Sequence, residues 1–182
     1  MKKVLVPLAP GFEEIETITV VDILRRAGAR VTLAGTCDGP IEGSRGVKVY
    51  PDCLLDSVSG EDFELIVLPG GQPGTTNLQK SEKTLALLRK MQENHKKIAA
   101  ICAAPLVLQT AGLLKGRTAT SHPSVQDKLG EVAYRDDRVV VDGDMITSRG
   151  PGTAMEFAFK LVEILFDQQR VETVNNGVMA RI

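Results

Sequence analysis

The stretch Lys97-Ile98-Ala99-Ala100-Ile101-Cys102-Ala103-Ala104-Pro105-Leu106 decides the fold. A short apolar run of this kind reads as a buried strand. It stops at a cysteine, and an alanine-rich helical pattern over 103–111 starts at once. Cys102 therefore falls on a tight strand-to-helix turn. That is the geometry of a nucleophile elbow, which exposes a side chain at the crest of a sheet. The turn also sets the sulfur beside a helix N-terminus, where partial positive charge favours thiolate. A thiolate is both a nucleophile and an oxidisable centre, so both uses follow from one position.

The same alternation extends outward. Residues 3–8, 30–34 and 64–68 read as strands, the first ending in Pro10-Gly11 and the third in Pro69-Gly70-Gly71. Ile15, Ile18, Val20, Val21, Ile23, Leu24 and Ala27 form a helical stripe closed by Gly28. Residues 47–50 read as a short strand in an excursion around Gly43 and Gly46. Ser81 caps a helix whose apolar face uses Leu85, Leu88 and Met91. Downstream, 118–120 reads as a short strand and Pro123 opens a short helix to Leu129. The runs 139–141 and 145–147 flank Asp142-Gly143-Asp144 as a hairpin. Thr153-Ala154-Met155-Glu156 reads as a capping box. The helix it opens has Met155, Ala158, Phe159, Val162 and Leu165 on one face, broadened by Phe157, Leu161, Ile164 and Phe166. The pattern predicts a single α/β domain over 1–182, a mostly parallel sheet with helices on both faces. In such sheets sites form at the carboxyl ends of strands. The loops 10–16, 69–74, 102–103 and 121–123 meet that condition.

Composition narrows the function classes. The 182 residues are 43% hydrophobic and 25% charged, enough for a sizeable core. A formal net charge of -1 without a basic block argues against charge-driven binding of nucleic acid or membrane surfaces. No apolar run approaches the ~20 residues that span a bilayer. The three cysteines, Cys37, Cys53 and Cys102, contain no CxxC pair, and only His95 and His122 are histidines. A reducing cytoplasm is expected, without a disulfide framework or structural metal.

Candidate residues gather at the same sheet edge. Glu13, Glu14 and Glu16 suit a first helical turn, where acids complement the helix dipole. A carboxyl turned toward the crest would be partly desolvated and protonated, able to donate to a thiolate or shuttle a proton. Helical phase does not choose among the three. Gly70-Gly71 reads as a tight turn, or as a backbone N–H that joins that of Ala103 in an oxyanion hole. His122 reads as a capping or packing residue, or as a base near Cys102. Arg45 and Arg149 read as surface charges or anion contacts. Cys37 and Cys53 read as structural or surface thiols open to oxidants if exposed. His95 reads as an exposed helix-end residue.

Several segments together carry a family resemblance: 8–16, Arg25-Arg26-Ala27-Gly28, Ser44-Arg45-Gly46, Val67-Leu68-Pro69-Gly70-Gly71, 99–105 and 147–153. In that order, over nearly the whole length, the chain resembles the ThiJ/PfpI superfamily in its DJ-one branch. The resemblance implies a flavodoxin-like three-layer sandwich and a homodimer. It implies Cys102 as the reactive cysteine, Glu16 as its protonated partner, backbone donors at Gly71 and Ala103, and His122 nearby. Gly70, Arg45, Arg26 and Pro151 become candidate substrate or dimer contacts. Protease-like members carry histidine directly after the cysteine; Ala103 here argues against peptidase activity. A cysteine that occurs in the branch just before the Ser-Arg pair is Gly43 here, so no second redox role is expected at that position. The function implied is a cofactor-free glyoxalase or deglycase acting on 2-oxoaldehydes such as methylglyoxal, or on early glycation adducts. The other class is a redox sensor or chaperone in which Cys102 is oxidised without turnover. The thiamine-precursor label attached to the ThiJ name has no thiazole-phosphate site in this sequence to support it.

Overall fold

The computed structural model describes residues 1–181. Its strands are β1 (Lys3–Leu8), β2 (Arg30–Gly35), β3 (Ile41–Glu42), β4 (Lys48–Val49), β5 (Cys53–Leu54), β6 (Leu65–Leu68), β7 (Lys97–Ile101), β8 (Thr118–Ala119), β9 (Ala133–Tyr134), β10 (Val139–Asp142) and β11 (Met145–Ser148). Its α-helices are α1 (Glu14–Arg26), α2 (Gly74–Lys80), α3 (Glu82–Glu93), α4 (Pro105–Thr110), α5 (Ala154–Leu165) and α6 (Gln168–Val178). The main sheet runs β10-β11-β7-β6-β1-β2-β5. All its pairings are parallel except β10 with β11, the hairpin expected around Gly143. The fold is an α/β sandwich of the flavodoxin-like class.

Side-chain alternation along the strands separates two cores. Val4, Val6, Leu65, Val67, Ala99 and Ile101 face one layer, with Val20 and Leu24 of α1 and Phe157 and Leu161 of α5. Leu5, Ile66, Leu68, Ile98 and Ala100 face the other, with Leu78 of α2, Leu88 of α3 and Val107 of α4. Strands buried on both faces have no polar side to show, which is why they read as unbroken apolar runs.

Local chemistry sets several helix ends as the sequence indicates. The Ser81 hydroxyl accepts from the Thr84 N–H at 3.2 Å, and Gly28 takes the left-handed φ of 92° that stops α1. Other expectations change. Ile15 and Ile18 lie in the apolar stripe of α1 yet are 56% and 43% exposed, because the helix buries Glu16, Thr17, Val20, Val21, Ile23 and Leu24 instead. Thr153 does not cap α5 as a capping box would. Its hydroxyl turns back, lying 2.9 Å from the Gly150 carbonyl and 2.7 Å from the Ser148 hydroxyl, while Glu156 pairs with Arg138. Residues Pro123–Lys128 form a 3-10 turn rather than an α-helix. Strand β5 and helices α2 and α6 leave little sequence signal; α6 buries only Val174.

Phe157 is fully buried where α5 packs on α1 and the sheet. Phe157→Ala is expected to lower stability by about 3–5 kcal/mol, read as a drop in urea midpoint without a change in slope.

Candidate active site

Cys102 follows the last residue of β7 and adopts φ 65°, in the left-handed region that costs a residue with a Cβ about 1–3 kcal/mol. Two backbone hydrogen bonds impose it. The Cys102 N–H donates to the Ser148 carbonyl at 2.9 Å, and the Cys102 carbonyl accepts from the His122 N–H at 2.8 Å. The elbow expected from the sequence is present.

The structure separates the three acids. Glu13 is the N-cap of α1: its carboxylate accepts from the Glu16 N–H at 2.7 Å. Glu14 turns to the 43–47 turn, accepting from the Arg45 N–H at 2.6 Å and the Ser44 hydroxyl at 3.1 Å. Burial raises its carboxyl, but these bonds, with others from the backbone N–H groups of Glu14 itself and Val47, hold it below the usual value. Glu16 points inward and is fully buried. Its Oε2 accepts from the Gly70 N–H at 2.8 Å, while Oε1 is buried without an ordinary hydrogen-bond partner. The carboxyl faces the Cys102 thiol. Burial pushes Glu16 up to about 7, against the hydrogen bonds from Cys102 and Gly70; the charge of Glu13 adds to the push.

Burial also pushes the Cys102 thiol up to about 12, with the Glu16 carboxylate adding by charge and hydrogen bond. The backbone N–H groups of Ala103 and Gly71 point at the sulfur and pull it down. The expectation that the helix N-terminus favours thiolate at Cys102 is therefore corrected. Helix α4 has 6 residues, and loss of water around the sulfur beside a carboxylate outweighs its dipole.

Glycines make this close approach feasible. A Cβ on Gly70 would sit 2.7 Å from the Cys102 Cβ and 2.8 Å from Glu16 Oε2. Gly71 has φ 90°, and a Cβ there would lie 2.4 Å from the Glu13 nitrogen.

A cavity of about 310 Å³ opens above the pair, lined by Glu13, Ser44, Arg45, Gly71, Gln72, Cys102, Ala103, His122, Ser124 and Pro151. His122 caps the 3-10 turn, its Nδ1 accepting from the Ser124 N–H at 3.2 Å. A neutral ring in that bond carries its proton on Nε2. The capping reading of His122 holds, and the ring also lines the cavity. Arg26 is elsewhere, paired with Asp22 on the exposed side of α1, and Arg149 pairs with Asp136. His95 is an exposed residue past the end of α3. Ser44, Gln72 and Ser124 also line the cavity, and their only signal in the sequence is adjacency to Arg45, Gly71 and Pro123. Among the described residues, no group of three or more His, Cys, Asp or Glu is placed to hold a metal ion.

The model of the DJ-1/PfpI family matches residues 2–164. The chain belongs to this family. It is 48% identical over 170 residues to Protein DJ-1 homolog A of Arabidopsis thaliana, covering 92% of this chain but 43% of that longer protein. The crystal structure of Drosophila melanogaster DJ-1beta superposes with a TM-score of 0.95 at 45% identity, covering 98% of this chain and 97% of the other. The glutathione-independent glyoxalase DJR-1.2 of Caenorhabditis elegans is 39% identical over 176 residues, covering 95% of this chain and 94% of its own.

The raised carboxyl has a consequence for stability. Glu16 binds its proton more tightly in the native state, at about 7, than the ordinary carboxyl value of 4.5. The stabilisation from that proton is complete below pH 4.5 and is lost as pH rises to about 7. Glu16→Gln is expected to escape this loss. Its stability relative to wild type should rise by about 3 kcal/mol between the two pH values, measured by urea unfolding across the range.

Proposed function

We propose that this DJ-1/PfpI protein is a cofactor-free, cysteine-dependent glyoxalase acting on 2-oxoaldehydes such as methylglyoxal. The observation that carries this reading is the buried Glu16 carboxyl against the Cys102 thiol, with two backbone N–H groups aimed at the same sulfur. The similarity to a protein named a glutathione-independent glyoxalase supports it.

The chemistry is balanced within the site. The nucleophilic form of the pair has the proton on Glu16, where Oε1 is free to donate, and the negative charge on Cys102. The thiolate adds to the aldehyde carbon, and the former carbonyl oxygen takes the Glu16 proton to give a hemithioacetal, which leaves Glu16 a carboxylate able to act as base. Glu16 removes the hydrogen from that carbon and returns a proton to the neighbouring carbon. The first carbon is oxidised and the second reduced, leaving a 2-hydroxy thioester. Water adds to the acyl carbon, the C–S bond breaks, and the hydroxy acid leaves. Gly71 and Ala103 N–H groups supply charge stabilisation. His122 lines the same cavity, and the exposed Arg45 sits at its rim. The same adduct chemistry extends to early glycation products, the deglycase form of this reading.

A second reading rests on the same hydrogen-bond donors. Peroxide would carry Cys102 to a sulfinic acid whose oxygens the Glu16 hydroxyl and the two N–H groups would hold. Free thiols at Cys37, Cys53 and Cys102 fit a reducing cytoplasm. No α-helix among the described residues is long and apolar enough to cross a membrane.

The proposed assembly is a homodimer. Ile15 and Ile18 on α1 and Val47 and Tyr50 near β4 expose large apolar area. Glu14 ties the 43–47 turn to α1, its Oε1 lying 3.4 Å from the Val47 nitrogen. Ile18→Asp is expected to shift the protein from dimer to monomer by sedimentation; a wild-type monomer would refute the assembly.

The activity test is hydroxy-acid formation from methylglyoxal without glutathione. Wild type should turn over. Cys102→Ser should lose at least ~100-fold, and Glu16→Gln a similar amount because no proton reaches the second carbon. Wild-type turnover absent with Cys102 demonstrably reduced would favour the sensor reading.

A further inference from the structure

The other two thiols lie outside the Cys102 cavity. Cys37 is exposed just past the end of β2, and Cys53 is half-buried in β5. Both line one surface cavity of about 280 Å³ together with Asp38, Tyr50 and Pro51. The sheet brings them there. β5 pairs with β2 in register Ala34 with Cys53 and Gly35 with Leu54. The position of a Cβ on Gly35 lies 2.8 Å from Pro51 Cγ and 3.1 Å from the Cys37 carbonyl oxygen, so the two segments meet at that glycine.

Their place in the chain gives the pair a meaning. Residues 38–52 form the excursion that contains β3, β4 and the turn carrying Ser44 and Arg45 to the Cys102 cavity. Cys37 and Cys53 stand at its two feet. β5 is an edge strand of 2 residues, and the chain beyond β2 bends through exposed residues, so both feet have room to adjust.

We propose that Cys37 and Cys53 are a redox-active dithiol that a hydroperoxide closes into an intramolecular disulfide, clamping the base of the excursion that lines the Cys102 cavity. Cys37, the more exposed, is oxidised first. Its thiolate sulfur attacks the distal peroxide oxygen, the O–O bond breaks, and the alcohol or water leaves with the proton. The Cys53 thiolate then attacks the Cys37 sulfenic sulfur, the S–O bond breaks, and water is released. Two thiols and one hydroperoxide give one disulfide, one alcohol or water, and one water. A dithiol reductant reverses the step. Nothing in it depends on the chemistry proposed for Cys102.

The test uses the full chain carrying Cys102→Ser, so that oxidant acts only on the other thiols, treated with a stoichiometric hydroperoxide and read by intact mass. The expected result is loss of two hydrogens, restored by dithiothreitol. Trypsin cuts after Arg45 and Lys48, so unlinked Cys37 and Cys53 fall in separate peptides and the disulfide appears as one joined species. Adding Cys37→Ser or Cys53→Ser should abolish it. The proposal is overturned if the mass gains only oxygen, if both thiols remain open to alkylation, or if the disulfide joins two copies on a non-reducing gel.

Discussion

The space a side chain would take at Gly70 is closed by the Cys102 Cβ and by Glu16 Oε2, which accepts the Gly70 N–H at 2.8 Å. Everything at the site depends on that contact. A carboxyl from α1 and a thiol from the end of β7 meet beside the end of β6, where only a residue without a side chain leaves them room. The close approach continues beyond it. A Cβ on Gly11 would lie 2.4 Å from Pro73 Cδ, and one on Gly74 would lie 2.7 Å from the Gly11 carbonyl carbon. The loops after β1 and β6 therefore interlock main chain to main chain. That leaves little freedom for Glu16 or the sulfur to drift.

The interlock also settles the electrostatics. Water is excluded from Glu16, so the charged carboxylate is disfavoured; water is scarce at Cys102, so the thiolate is disfavoured too. Two adjacent groups that each resist ionisation share one charge more readily than they bear two. Backbone N–H groups at Gly71 and Ala103 draw the sulfur toward thiolate, while burial and the neighbouring Glu16 carboxylate hold its proton on. The charge therefore rests first on the carboxyl and reaches the sulfur when the proton crosses to Glu16. The helix dipole at α4 is a minor contributor beside these contacts.

The excursion between β2 and β5 is the least regular part of the sheet edge, yet it completes the cavity wall. Glu14 fixes its tip by accepting from Ser44 and Arg45, and Gly43 approaches so closely that a Cβ there would lie 2.5 Å from Glu14 Oε1. One helical turn thus holds three acids with three separate tasks. Glu13 caps, Glu14 anchors a distant loop, and Glu16 faces the sulfur.

Features governed by local chemistry are legible in the residues alone. Buried strands read as apolar runs, Ser81 and Gly28 marked helix ends, and the change from β pattern to helix pattern at Cys102 located the elbow without any tertiary information. Turn chemistry offered a Gly70-Gly71 N–H and that of Ala103 as donors, and family resemblance singled out Glu16 among the acids and Gly71 of the two glycines. Helical phase was mute on the three acids because adjacent first-turn positions all tolerate charge; only packing against Gly70 buried one of them. The apolar stripe placed Ile15 and Ile18 with the core residues, but the direction from which the sheet meets α1 left them exposed. Thr153 had the spacing of a cap, and the nearby Gly150 and Ser148 drew its hydroxyl away. The meeting of Cys37 with Cys53 at one cavity was likewise invisible, since strand order at a sheet edge is set by which surfaces bury one another and not by any residue in the intervening loop.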